Sequence, residues 1–275
     1  MSLQLHGLWR VREALTIPAT TRIVELLSQR LPNSIFLQGL PGLGFVGKVT
    51  VDYLIEKLKA KKFAELHSTH LTFPDGNVGI NIALNGTFSL PKYEFYIHTE
   101  TSPNLVLLTG DAQPNVSGQY EVADAVLDFV EKVGCGTIVC IGGYGVRVQR
   151  EIGTVYGVLS NHESVDELKK YGVQIARGGA VTGACGIILG LAMQRKMRCF
   201  GLLGSTRGMY PDLEAARAVI LLLKEMYGIP VELTDLDSEI ADMKTKMESL
   251  QRIQAEGPRE FPGEKKERRG GGYIT

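Results

Sequence analysis

Two overlapping glycine patterns offer the first chemistry. Gly42-x-Gly44-x-x-Gly47 has the spacing of a dinucleotide-binding turn. Such a turn needs glycines for close backbone approach, a helix N-terminus for the pyrophosphate, and an acid about 20 residues on for the ribose. Glu65, in the apolar run Phe63-Ala64-Glu65-Leu66, stands at a tolerable distance. The fingerprint should follow its strand directly, however, and Gln38-Gly39-Leu40-Pro41 intervenes. Gly42-x-x-x-x-Gly47-Lys48 is in turn one residue short of a phosphate loop. That loop needs a hydroxyl after the lysine to hold Mg²⁺, and here Val49 follows. Thr50 comes one residue late, a rotation of about 100° around a helix. With both patterns incomplete, Gly39, Gly42, Gly44 and Gly47 read as a structural glycine loop: a tight strand-to-helix turn that packs against another backbone.

No other constellation completes itself. Nucleophilic catalysis needs Ser or Cys beside a base and an orienting group. Ser205, Thr206 and Thr182 sit near strand ends and glycines, but there is no Gly-x-Ser-x-Gly elbow. His67 and His70, three apart on a strand, would face opposite sides and make a poor metal pair. His6, His98 and His162 stand alone, and Asp111 lacks a second acid. Arg147 and Arg150 fit structural ion pairs better than a phosphate site. Cys135, Cys140, Cys185 and Cys199 lack metal-ligand spacing and read as small core residues of a reducing compartment. The expectation is no catalytic residue, no metal and no cofactor.

The elements that position these residues follow from periodicity. Ile35–Leu37 reads as a buried strand ahead of a helix to about Lys59. Upstream, Thr21 to Arg30 reads as a short helix. Phe63–Leu71 reads as a strand. Val78, Ile80, Ile82 and Leu84 alternate as in a half-buried strand, and Asn85-Gly86 signals a hairpin to a partner at Tyr93–Thr99. Residues 104–109 form an apolar run suited to a central strand. A helix follows over Gln119–Val133, with Ala123, Val126, Leu127 and Val130 on one face. Further strands are expected at Thr137–Ile141, Thr154–Ser160, Val173–Ala176 and Cys199–Leu203, the first and last closed by glycine-rich turns. Helices fall at Val165–Tyr171, up to Arg195, and from Pro211 to Tyr227, ended by Gly228. This alternation predicts an α/β fold with a mainly parallel central sheet and helices on both faces. The loops near residues 39, 110, 142, 178 and 204 should then gather on one edge.

Composition excludes several classes. The 275 residues are 44% hydrophobic, enough for a full core, and 30 basic residues balance 30 acidic ones. No global field favours nucleic acid or an anionic membrane. No apolar run approaches the ~20 residues of a membrane span, and the N-terminus lacks signal-peptide character. A cytoplasmic protein is expected.

The stretch Gly39-Leu40-Pro41-Gly42-Leu43-Gly44-Phe45-Val46-Gly47 resembles the opening signature of the proteasome assembly chaperone family, second type, and its archaeal homologues. So do Gly110-Asp111-Ala112-Gln113-Pro114, Gly142-Gly143-Tyr144 and the unit from Gly178 to Gly190. The resemblance covers about residues 30–230. It implies a three-layer α/β sandwich similar to the purine nucleoside phosphorylase-like fold, homo-oligomer formation, and a non-catalytic role in assembling the 20S proteasome by binding its α-subunits. The alternative is a nucleoside or phosphate-ester enzyme that keeps a phosphorylase-like pocket, with Arg147, Arg177 and Ser205 as phosphate contacts.

Three regions are expected: an α/β domain over 1–233, a helix over 234–256 and a flexible tail over 257–275. In the helix, Leu236, Ile240, Met243, Met247, Leu250 and Ile253 form a near-heptad stripe. Met243, Met247 and Leu250 are its candidate oligomer contacts. The tail, with Glu264-Lys265-Lys266-Glu267-Arg268-Arg269 and Gly270-Gly271-Gly272, cannot bury a core. It ends in Tyr273-Ile274-Thr275, the candidate partner-binding residues. They resemble the hydrophobic–Tyr–any tripeptide with which proteasome-binding chaperones and activators dock between α-subunits. Here the register is shifted by one, since Tyr273 is third from last.

Overall fold

Strands Ser34–Gly39 and Leu105–Gly110 are buried at every position, so neither face of the sheet they share meets water there. A sheet with two apolar faces must be covered twice. The computed structural model describes residues 21–147, 153–160, 164–208 and 211–255, with the side chains of 164 and 247–255 outside that description. A first compact unit ends at Leu233 and a second begins at Thr234.

In chain order the first unit holds β1 (Arg22–Glu25), β2 (Ser34–Gly39), α1 (Val46–Lys57), β3 (Lys61–His67), β4 (Leu71–Thr72), β5 (Asn81–Ile82), β6 (Phe88–Ser89), β7 (Tyr93–His98), β8 (Leu105–Gly110) and β9 (Gln113–Pro114). It continues with α2 (Gln119–Val133), β10 (Cys135–Gly145), β11 (Val155–Leu159), α3 (Ser164–Lys170), β12 (Gln174–Ile175), α4 (Gly183–Gln194), β13 (Arg198–Thr206) and α5 (Leu213–Tyr227). The second unit's described element is α6 (Thr234–Ala255).

Nine strands form one sheet in the order β1-β3-β7-β8-β2-β10-β13-β11-β12. Helices α1 and α5 pack together on one face, and α2 and α4 on the other. The sheet is mixed rather than mainly parallel. Its centre, β8-β2-β10-β13, runs parallel, as does the edge pair β11-β12. The flank β1-β3-β7-β8 is antiparallel, and β11 runs against β13. The returns after β3, through β4 to β6, and after β7, directly into β8, carry no helix, so they lack the helical crossovers that parallel strands need.

Several sequence expectations need correction. Residues 22–25 form an edge strand, not part of a helix; Ile23 and Val24 are β-branched, and the free edge of β3 pairs with them. The strand expected to run to Leu71 stops at His67. Asn85-Gly86 does turn a hairpin, but its arms are the two-residue strands β5 and β6. Val78, Ile82 and Leu84 are exposed rather than half-buried, and Tyr93–His98 joins the main sheet. Gly142, Gly143 and Gly204 do not end their strands, because β10 and β13 stay paired through Gly145 and Thr206.

Helix ends follow their local chemistry. Asp212 caps α5 by accepting the Ala215 N–H at 3.0 Å, and Gly228 closes it in the left-handed region. On the α2 face, Phe129 stacks on Phe63 at 5.5 Å and meets Phe95 edge-on at 4.8 Å. These rings tie the antiparallel flank to α2. Phe129→Ala should lower the unfolding free energy by about 3–5 kcal/mol, measured by urea denaturation, with the loss traced to an unfilled cavity between β3, β7 and α2.

Candidate functional site

The C-terminal ends of the parallel strands are where open α/β sheets bind ligands, at the point where successive helices leave on opposite faces. Here that point lies between β2 and β8, since α1 follows β2 on one face and α2 follows β8 on the other. The loops near residues 39, 110, 142 and 204 gather at this edge as expected and pack onto one another, whereas a Cβ added at Gly178 or Gly179 would meet nothing within 4 Å. A Cβ added at Gly39 would lie 2.1 Å from the Gly47 carbonyl oxygen, and one at Gly47 would lie 2.3 Å from that of Ile141. One at Gly143 would lie 2.2 Å from the Leu43 carbonyl oxygen. Gly44, at φ +61°, leaves its would-be Cβ 2.5 Å from Thr206 Oγ1. The ends of β2 and β10 and the first turn of α1 are thus in backbone contact, and β13 joins them through the Thr206 side chain. Gly42 differs: a Cβ there would have only one neighbour within 4 Å, the Leu40 carbonyl oxygen at 4.0 Å.

Hydrogen bonds close the joint. The Asp212 N–H donates to the Gly44 carbonyl at 2.8 Å, and Gly208 N–H to Thr206 Oγ1 at 3.0 Å. The Gln113 side-chain amide bridges two loops. Its Nε2 donates to the Pro41 carbonyl, and its Oε1 accepts the Ala184 N–H at the start of α4 at 3.2 Å. Leu40 is 3% exposed beside it and Ala112 is fully buried, so side chains of this chain fill the crevice. The first turn of α1, where a pyrophosphate would sit, instead carries buried Val46, against Gly204, and buried Gly47, against the Ile141 carbonyl.

A cleft of about 340 Å³ lies alongside, between α1 and the strands β7 and β8. Most of its charges are already matched. Lys48 pairs with Asp52 at 2.9 Å, and Thr109 donates to Asp52. Lys92 reaches Glu65 at 2.5 Å and Glu94 at 3.2 Å, and Lys62 reaches the same acids at 2.8 and 2.9 Å. Burial opposes the Glu65 charge, but hydrogen bonds from Lys62 and Lys92 outweigh it and hold the carboxyl at about 2. Glu94 is lowered by the same balance of burial against the two lysines. Burial and then Glu94 push Tyr96 up to about 12. Asp111 accepts from Asn81 Nδ2 and, at 3.3 Å, from the Lys92 N–H.

The other sequence candidates do not converge. Ser205 is fully buried, and its hydroxyl accepts the Thr154 N–H at 3.1 Å. Arg147 and Arg177 are exposed. His70 lies 3.3 Å from Glu121, and His67 lies 3.3 Å from Glu65. Among the described residues no group of three His, Cys, Asp or Glu side chains could hold a metal. Arg150, Tyr273, Ile274 and Thr275 lie outside the described residues, as do the side chains of Met247 and Leu250. Leu236 and Ile240 are buried, while Met243 is 38% exposed.

Sequence reasoning missed two features. Gln113 stood inside a noted motif, but nothing local shows that its amide crosses to residues 41 and 184. The four-charge network depends on a register shift in β3 between Lys62 and Ala64. Without it, strand parity would put Lys62 and Glu65 on opposite faces.

Comparison with known proteins gives a consistent picture. The model of the PAC2 family matches residues 36–251. The chain is 28% identical over 227 residues to the uncharacterized protein MJ1210 of Methanocaldococcus jannaschii, covering 82% of this chain and 86% of that one. Its fold is similar to that of Pyrococcus furiosus PbaB, an archaeal proteasome activator, with a TM-score of 0.76 and 33% identity over 85% of this chain and 99% of that one. It is also similar to P. furiosus PbaA, an archaeal homologue of proteasome-assembly chaperone, with a TM-score of 0.71 and 24% identity over 86% and 94% of the two chains.

Two outcomes test the joint. Gly47→Ala should abolish folding or cost more than about 3 kcal/mol, since backbone faces backbone, whereas Gly42→Ala should change stability by under about 0.5 kcal/mol. Gln113→Ala should cost about 1–3 kcal/mol by orphaning two buried partners. Separately, the folded-state carboxyl of Glu65 lies below its ordinary value of 4.5, so its contribution is present above that pH and is lost as pH falls towards 2. Urea midpoints between pH 5 and 3 should fall more steeply for the native chain than for Glu65→Gln.

Proposed function

The chain belongs to the PAC2 family, and on that premise we propose that it is a non-catalytic, chaperone-like protein that binds 20S proteasome α-subunits through its C-terminal tail. The observation that carries the reading is the likeness to P. furiosus PbaB, an archaeal proteasome activator, along almost the whole of that chain. The glycine edge supports it from the opposite direction. Where a sheet of this kind would hold a substrate, this one holds Leu40 and Gln113. Binding then falls to outer surfaces and to the chain's end.

The tail suits that task chemically. Gly270-Gly271-Gly272 gives reach, and Tyr273-Ile274-Thr275 presents an aromatic ring and an aliphatic side chain beside a carboxylate. An α-subunit pocket with an apolar floor and a lysine at its rim would take all three groups. Fixing a glycine-rich segment on a partner costs entropy, so each tail binds weakly, and several tails on one oligomer compensate through avidity. Self-association is therefore part of the proposal, with Met243, Met247 and Leu250 on α6 as contact residues. Met243 stands exposed on the stripe that begins at Leu236. The protein works in the cytoplasm, with no cofactor and with neither nucleic acid nor membrane as a partner. Among the described residues, no helix is long and apolar enough to cross a membrane.

Deleting Tyr273–Thr275 should weaken binding to immobilised 20S proteasome at least tenfold by surface plasmon resonance. Unchanged binding would move the interface to the folded body. Met243→Glu with Met247→Glu should lower the assembly mass in light scattering.

A further inference from the structure

From Gly76 to Pro91 the chain carries no charged residue. This stretch folds into the hairpin β5–β6, with Asn81 opposite Ser89 and Ile82 opposite Phe88. Strand alternation puts Ile80, Ile82 and Leu84 on one face, and the cross-strand pairing brings Phe88 and Leu90 to the same face. That face is turned to solvent: Ile82 is 74% exposed, Leu84 111%, Phe88 72% and Leu90 63%. Asn81, on the opposite face, donates to Asp111 at the end of β8. Ala83, Thr87 and Ser89 on that opposite face are exposed as well, so the hairpin stands out from the body, tied to it by a polar side chain, and holds a row of apolar side chains in water, the reverse of what burial of apolar surface favours.

We propose that this apolar face is a self-association surface that stacks on the same face of a second copy of this chain across a two-fold axis. The inference rests on the self-association in the proposed function and assigns it a second contact, apart from α6. Four observations favour a second copy as the occupant. The hairpin has no charge with which to select an acidic or basic partner. As a two-stranded sheet it falls short of the three or more strands that an independent sheet needs, and a facing hairpin supplies the missing packing. Its apolar side chains present on the order of 500 Å² in each copy, at the upper end for a monomer's largest patch, and two such faces together reach the ~1,000 Å² that an interface should clear. The chain's balanced charge, 30 basic against 30 acidic residues, also leaves no net repulsion between copies.

The test is light scattering on the full chain at micromolar concentration, comparing the native sequence with Ile82→Glu/Phe88→Glu. Both positions are exposed, so the melting temperature of the body should hold and serves as the folding control. The expected result is an oligomeric native chain and a variant of half that mass or less. A variant that keeps the native mass overturns the hairpin contact and leaves self-association to α6. A native chain that is monomeric overturns the hairpin contact and the self-association reading together, and leaves the apolar face to a different partner.

Discussion

Backbone meets backbone where α1 leaves β2, and the rest of the sheet's C-terminal edge depends on that contact. Gly39 lies against the Gly47 carbonyl and Gly47 against that of Ile141, so β2, α1 and β10 approach more closely than any side chain allows. The approach seats α1 on the parallel centre of the sheet, and Val51 and Leu54 are then fully buried. It also places Leu43 over Gly143 and Gly44 over Thr206, which lets β10 and β13 stay paired through glycines that would otherwise loosen a strand. Gln113 extends the joint to the other face by linking the loop at Pro41 to the start of α4.

That geometry inverts the usual use of a glycine-rich edge. In nucleotide-binding sheets, glycines clear space for a phosphate at a helix N-terminus. Here the same residue type clears space for neighbouring backbone. The adjoining cleft shows the same self-sufficiency, since Lys62 and Lys92 are matched by Glu65 and Glu94. A fold closed in this way has its surfaces left for recognition, in keeping with a family of chaperone-like proteins.

Much of this was legible in the sequence where a signal was local. Helix α2 has the expected bounds, α5 ends at its glycine, and the apolar run at 105–108 is a central strand. The gathering of the glycine loops followed from strand–helix alternation. Features set by distant partners were not legible. Residues 22–25 extend because β3 offers an edge, and the alternation at 78–84 signals a strand without saying that its apolar side faces water. Strand direction in the flanks depends on connection geometry rather than on residue pattern. Gln113 is an ordinary polar residue until the fold brings Pro41 and Ala184 to its two ends.

Calorimetric titration of the full chain with NAD, ATP, inosine and inorganic phosphate, each taken to millimolar concentration, tests the closed joint most directly. With Leu40 and Gln113 filling the crevice and α1's first turn set against Ile141, no ligand should give saturable heat. Stoichiometric binding of any one of them with a Kd below about 100 μM, lost in Gly42→Trp, would contradict the account and restore the glycine edge as a ligand site.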